Sequence, residues 1–230
     1  MISTISELSD FLRTYHRVWT DSPGLDPEEV PSELPVPLHE FYCRLGGLTQ
    51  IQESPENGHR IPLGTQDYIA PPDRIRRVDG LVEFLWENQD CFWVRTSATG
   101  DDPEVITNWL SELGDSENDQ DAVCDSLIHF LITFGLQEAV LSSAYLLQPV
   151  KATVGELMGD AIPIWLNGLY VCGEPTHDFH YFPKSEVIAM NLSGDLWLGS
   201  NFSDPRELLP PGVGAHCIHQ PAEQNAAPNP

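Results

Sequence analysis

The chain has 230 residues, 41% of them hydrophobic and 20% charged, with six Trp, nine Phe and six Tyr, enough apolar surface to offset the entropy of ordering one large domain, or one domain with an appendage. Lys and Arg number 11 against 35 Asp and Glu, a formal net charge of -24; such a field repels phosphates and anionic headgroups and attracts basic surfaces, which argues against nucleic acid and membrane as direct partners. Five cysteines, at positions 43, 91, 124, 172 and 217, are odd in number and widely spaced, which argues against a disulfide framework and for a reducing cytoplasm. On composition alone, solubility explains the acidity as well as a basic partner does.

The N-terminal run MISTISELSDF is polar and acidic from the start, unlike a secretory leader. Thr4 followed by Glu7 predicts a capping box. Ile5, Leu8, Leu12, Tyr15 and Trp19 then fall on one helical face. Asp21 to Glu33 is rich in Pro and acid, a surface connection. Pro35 and Pro37 suit a helix entry and Gly46-Gly47 a left-handed exit. Between them Leu38, Phe41, Tyr42 and Leu45 form an amphipathic stripe. Residues 52–60 and Ala70-Pro71-Pro72 are turn-rich. Leu81 to Trp86 and Cys91 to Arg95 predict an antiparallel hairpin closed by Glu87, Asn88, Gln89 and Asp90.

Asp101-Asp102-Pro103 marks a turn, and the periodicity of Val105 to Leu113 fits helix and strand equally. Asp115 to Asp125 holds five carboxylates and no base. It leads into an apolar helical run predicted from Ala122, so part of this acidity is capping. Ser126 to Leu147 is the longest apolar stretch, with Phe130, Leu131, Phe134, Val140 and Leu141 as candidate core. His129, Gln137 and Glu138 within it point to a buried helix instead of a membrane span. From Ile162 onward IPIWL, GLYVC, FHYF, EVIAMNL and DLWLG have strand character, with a hairpin turn at Ser193-Gly194. Helices, strands, a long helix and more strands make an α+β domain.

Only Lys151 and Lys184 are present and neither follows a Gly-rich loop, so no phosphate-cradling GxxxxGK exists; GxGxxG, HExxH and GxSxG are missing too. No catalytic residue, cofactor or metal site is therefore assigned. His177, Asp178 and His180, with Cys172, Cys217 and His219, are the nearest approach to a transition-metal set. On a strand, however, 177 and 180 point to opposite faces, and polar residues around a loop explain the cluster better. Glu87 beside Asn88, flanked by Trp86 and Trp93, is the one carboxylate singled out for acid–base work, although a turn stabilised by its own hydrogen bonds is the simpler account. Arg74, Arg76 and Arg77 form the one basic cluster, expected to pair internally with carboxylates.

Three segments, LPVPLHEFYCRLGG (34–47), APPDRIRRVDGLVEFLWENQDCFWV (70–94) and DSLIHFLITFGLQEAVL (125–141), occur in an order that resembles the Smi/Knr-type branch of the SUKH superfamily of bacterial toxin-immunity proteins. The matching positions are Pro35, Gly46 and Gly47 of the Leu-Pro helix, Glu87, Asn88 and Gln89 of the turn, and Trp93 of the following strand. Leu169 to Gly199, with Trp197, resembles the closing strands.

The resemblance implies a single α+β domain in which a mostly antiparallel, curved sheet is backed by helices. It implies a SUKH-like domain over residues 34–215; the helix and acidic connection of 1–33 are expected to pack on that domain, and the polar, Pro-containing end, with no apolar residue larger than Ala from Gln220 on, predicts a disordered tail (216–230). It further implies a cytoplasmic, non-enzymatic immunity protein, monomeric or weakly dimeric, that neutralises a cognate protein toxin, often a nucleic-acid-targeting enzyme. A nuclease needs a basic cleft, to which an acidic inhibitor is steered by complementary fields. Acidic density alone nominates Asp101, Asp102, Glu104, Asp115, Glu117, Asp119 and Asp121 as contacts. The alternatives are a regulatory or scaffold interaction domain of the same fold, and an unfamiliar enzyme built on Glu87 or the His177 region.

Overall fold

Helix α1 (Ile5–Tyr15) starts where Thr4 Oγ1 accepts the Glu7 N–H at 3.1 Å. The Glu7 carboxylate returns to the N–H and hydroxyl of Ser3, at 2.8 and 2.7 Å, so the predicted box closes one residue earlier than at Thr4. The computed structural model describes residues 1–17, 24–50, 52–54, 58–87, 89, 91–109, 121–171 and 174–219; of 52–54, 58–60, 149 and 217–219 it describes the backbone alone. Ile5, Leu8, Leu12 and Tyr15 are buried on one face, and Trp19 lies outside the described residues.

Helix α2 (Val36–Leu45) follows Pro35 and buries Leu38, Phe41, Tyr42 and Leu45. Its exit departs from the predicted left-handed one. Gly46 has a right-handed φ of -57°, and a 3-10 turn over Gly46–Thr49 continues the chain. The glycine is required for a close approach: a Cβ there would stand 2.7 Å from the Leu25 side chain.

Helix α3 (Leu127–Leu141) begins later than the sequence predicts, because Asp121–Cys124 pairs as a strand with Val105–Thr107. Ser126 caps it by accepting the His129 N–H at 3.0 Å. Asp102, from a distant loop, accepts the Ser126 hydroxyl at 2.6 Å and the Ile128 N–H at 2.9 Å. Twelve of its fifteen residues are buried, so it is enclosed by the rest of the fold on nearly all sides.

The fold is α+β, with antiparallel strands divided between two sheets. The first contains β3 (Asp67–Ile69), β4 (Arg76–Val78), β5 (Leu81–Glu87), β6 (Trp93–Ser97), β7 (Val105–Thr107) and β8 (Asp121–Cys124), in the order β3-β5-β6-β7-β8 with β4 also on β5. The second contains β9 (Tyr145–Val150), β10 (Ile162–Leu169), β11 (Pro175–Phe182), β12 (Val187–Leu192), β13 (Asp195–Ser200) and β14 (Cys217–His219), in the order β10-β11-β12-β13-β9-β14. A separate hairpin joins β1 (Gln52–Ser54) to β2 (Gly58–Arg60). The ambiguous segment after the Asp101-Asp102-Pro103 turn therefore starts as strand β7.

The side-chain period of two decides how β12 is buried. Ile188 and Met190 join the main core around α3, whereas Val187 and Ala189 join a smaller cluster with Phe182, Leu198 and Leu208 on the other face. The turn from β12 to β13 places Ser193 and Gly194 at φ 50° and 95°, the left-handed pair that a tight hairpin demands. Phe130 of α3 meets Phe84 of β5 edge-on at 5.9 Å and stacks on Tyr170, just after β10, at 5.3 Å. The central helix thus ties the two sheets together.

One predicted boundary shifts. Pairing of β14 with β9 continues past residue 215, into the segment that composition predicts to be a disordered tail; residues 220–230 lie outside the described residues. Among the described residues no helix is long and apolar enough to cross a membrane.

Candidate functional site

Between α3, the first sheet and the segment after β10 lies a network of buried polar groups. Glu138, wholly buried in α3, accepts the N–H groups of Thr65 at 2.6 Å, Gln66 at 2.9 Å and Asp67 at 3.4 Å. It thereby fastens the entry of β3 to the central helix. Burial pushes its carboxyl up to about 8 against the pull of those amides, with the neighbouring Asp67 adding to the rise.

Asp67, 2% exposed, accepts a short hydrogen bond from the Tyr170 hydroxyl through Oδ2, while its Oδ1 has no hydrogen-bond partner. Burial raises its carboxyl to about 6; the Tyr170 bond opposes that rise and the charge of Glu87 adds to it. Burial likewise holds the Tyr170 phenol well above its ordinary value. His177, on β11, bonds Gln137 Oε1 through Nε2 and Thr176 Oγ1 through Nδ1, both at 2.8 Å. An amide oxygen only accepts, so Nε2 carries the proton and Nδ1 accepts from the threonine. Burial lowers the imidazole to about 4 and keeps it neutral.

A cavity of about 400 Å³ opens beside this network. Asp67, Glu87, Gln66, Gln89, Gln137 and Tyr170 supply its polar lining, and Phe92, Trp109 and Trp197 its aromatic walls. Among the described residues no Lys or Arg lines it. Asp67 and Glu87 are direct register partners across β3 and β5, so their side chains leave the same face of the sheet. The Glu87 carboxylate also accepts the N–H groups of Gln89 at 2.7 Å and Cys91 at 3.3 Å, the turn-stabilising role the sequence suggested for it. The site offers acceptors and negative charge on one side and apolar surface on the other, within the size range of pockets that hold a small molecule.

The sequence-nominated residues separate. Glu87 and Gln89 line the cavity, and Asn88 lies outside the described residues. Trp93 opens β6, donates its N–H to Asn108 Oδ1 at 2.8 Å and carries the Arg95 guanidinium 3.6 Å over its ring; it is not in the lining. Pro35, Gly46 and Gly47 bracket α2, away from the cavity. Asp101 and Glu104 are exposed between β6 and β7, whereas Asp102 is committed to capping α3. Asp121 starts β8, half-buried, and Asp115, Glu117 and Asp119 lie outside the described residues.

The histidines divide as strand geometry demands: His177 points to α3, and His180 lies on the opposite face of β11. Cys172 and the side chains of Cys217 and His219 lie outside the described residues. Among the described residues no three His, Cys, Asp or Glu side chains are grouped so as to hold a metal ion. Arg76 pairs with Glu83 and Arg77 with Glu33.

Asp67 and Tyr170 are not legible in the sequence, since a lone acid and a lone tyrosine carry no local signal. Glu138 and Gln137 did carry one: polar side chains in an otherwise apolar helix must find buried partners. Comparison with known protein families, with characterised proteins and with solved structures returned no match.

Proposed function

We propose that this chain is a non-catalytic immunity protein, which binds a cognate, basic, nucleic-acid-targeting toxin and neutralises it by covering the toxin's cleft with an acidic surface. The observation that carries this reading is the distribution of charge. The chain has 35 acids and 11 bases. Arg17, Arg44, Arg76, Arg77, Arg95, Lys184 and Arg206 are already paired to carboxylates of the chain itself. The acidic excess therefore faces outward with few mobile cations to soften it, which favours steering of a basic partner.

The order of the three SUKH-like segments supports the same reading. So does the structural commitment of two buried acids, Glu83 to arginines and Glu138 to backbone amides. The role belongs in the cytoplasm, which suits free thiols at Cys43 and Cys124. Co-expression with the product of the adjacent gene tests it: rescue of the host from that product's toxicity is the expected outcome. Persistent killing beside stably expressed protein would overturn the immunity role. A scaffold domain of the same fold would bind a partner without rescuing.

A further inference from the structure

Asp67 and Glu87 present a problem that the chain leaves unsolved. They stand directly opposite each other on antiparallel strands, where like charges repel, and both face one cavity. Buried carboxylates are normally met by a cation or by several donors. Asp67 is 2% exposed, yet its Oδ1 has no hydrogen-bond partner, and among the described residues that line the cavity there is no Lys or Arg. The remaining lining includes the amides of Gln66 and Gln89 and the rings of Trp109 and Trp197. A desolvated cation gains from aromatic faces as well as from carboxylates, and a planar guanidinium gains most because it stacks and offers several donors.

We propose that this cavity binds a guanidinium or ammonium group carried on an apolar stem, the chemistry of an arginine or lysine side chain. The charged head meets Asp67 and Glu87, relieving their repulsion, and the stem lies along the aromatic wall. A bare metal ion is the poorer occupant, because hard cations take six or more oxygen ligands and gain nothing from indole surface, whereas this lining is mostly apolar. The inference deepens the reading of a basic partner by naming the side chain that would anchor it. A free cationic amine shares the chemistry and is the other source.

Full-length protein titrated with acetyl-Gly-Arg-Gly-amide, with agmatine, and with the uncharged citrulline analogue of the peptide, by calorimetry and Trp fluorescence, tests the proposal. Saturable binding of a cationic probe with a dissociation constant of about 1 mM or tighter is expected. The citrulline peptide should bind at least tenfold more weakly, and Asp67→Asn should cost a similar factor. Preference for the peptide identifies a partner's side chain; preference for agmatine identifies a small amine. Asp67→Asn keeps an acceptor for Tyr170, and should it unfold, Glu87→Gln is the second variant, with the same tenfold loss expected. Equal binding of arginine and citrulline peptides, no saturable binding of either cation, or displacement of the probes by Ca²⁺ at equal concentration would overturn the proposal. Such a failure leaves the rescue experiment untouched, and a failed rescue beside intact arginine binding removes immunity while keeping the site.

Discussion

Glu83 on β5 and Asp67 on the adjoining β3 are equally buried, each 2% exposed, yet they carry their charge in opposite ways. Glu83 accepts the Arg95 guanidinium at 2.6 and 2.8 Å, the Trp86 indole N–H at 2.7 Å and Arg76 at 3.2 Å. Burial alone would raise its carboxyl; those hydrogen bonds and charges outweigh burial and hold it below the ordinary value. Asp67 receives one hydroxyl, faces a second carboxylate and is raised. One carboxylate is satisfied by its own chain and serves the fold, while the other is left with capacity for a group from outside. Position in a sheet does not separate structural from functional acids; their partners do.

Removing the satisfied carboxylate is the largest expected perturbation. Glu83→Ala strands Arg95, whose side chain is 14% exposed, and the Trp86 N–H, and an expected loss of ~3 to 5 kcal/mol follows from breaking one side of a buried pair. The urea midpoint at constant slope measures it. A loss below about 1 kcal/mol would mean that Arg95 escapes to water, as exposed pairs do.

The raised carboxylates make a pH signature of the opposite sign. Glu138 stays protonated in the folded protein up to about 8, but ionises in the unfolded chain near its ordinary value of 4.5. Between those values the folded state holds the extra proton, so stability falls as pH rises. Asp67 adds the same trend between 3.8 and about 6. His177 acts in reverse, its depressed value removing stability as pH falls from 6.5 to about 4. Glu138→Gln is expected to flatten the decline between pH 5 and 8 by about 2 to 4 kcal/mol relative to the native chain. Parallel pH curves for the two proteins would show that Glu138 ionises normally.

The smallest effect sharpens the contrast within the Glu83 cluster itself. Arg76 is 68% exposed and reaches Glu83 from the solvent side, so Arg76→Ala should cost about 0.5 kcal/mol, within the range of surface pairs. Thermal unfolding resolves it, and a cost comparable to that of Glu83→Ala would show Arg76, and not Arg95, to be the principal counter-ion.

Much of this arrangement is legible in single segments. The stripes of α1 and α2, the hairpin of β5 and β6 and the turn at Ser193 and Gly194 follow from period and turn chemistry, which act over a few residues. Helix starts are less legible: periodicity predicts a helix from Ala122, but that residue lies in a strand paired with β7, and the Ser126 cap of α3 is completed by Asp102 from another loop. Half of the candidate site was in view through Glu87 and Gln89. The other half was not, since Asp67 has no motif around it.

From the amino-acid sequence itself come the α+β class, the acidic excess, the lack of familiar cofactor motifs and the short elements that local periodicity writes. Tertiary structure alone decided which buried acid meets a cation and which does not. Tyr170 and Asp67 are 103 residues apart, and Glu138 stands 71 to 73 residues from the amides it holds. No spacing rule spans such separations, because these meetings depend on how α3 docks between two sheets, a choice made by the packing of the whole core.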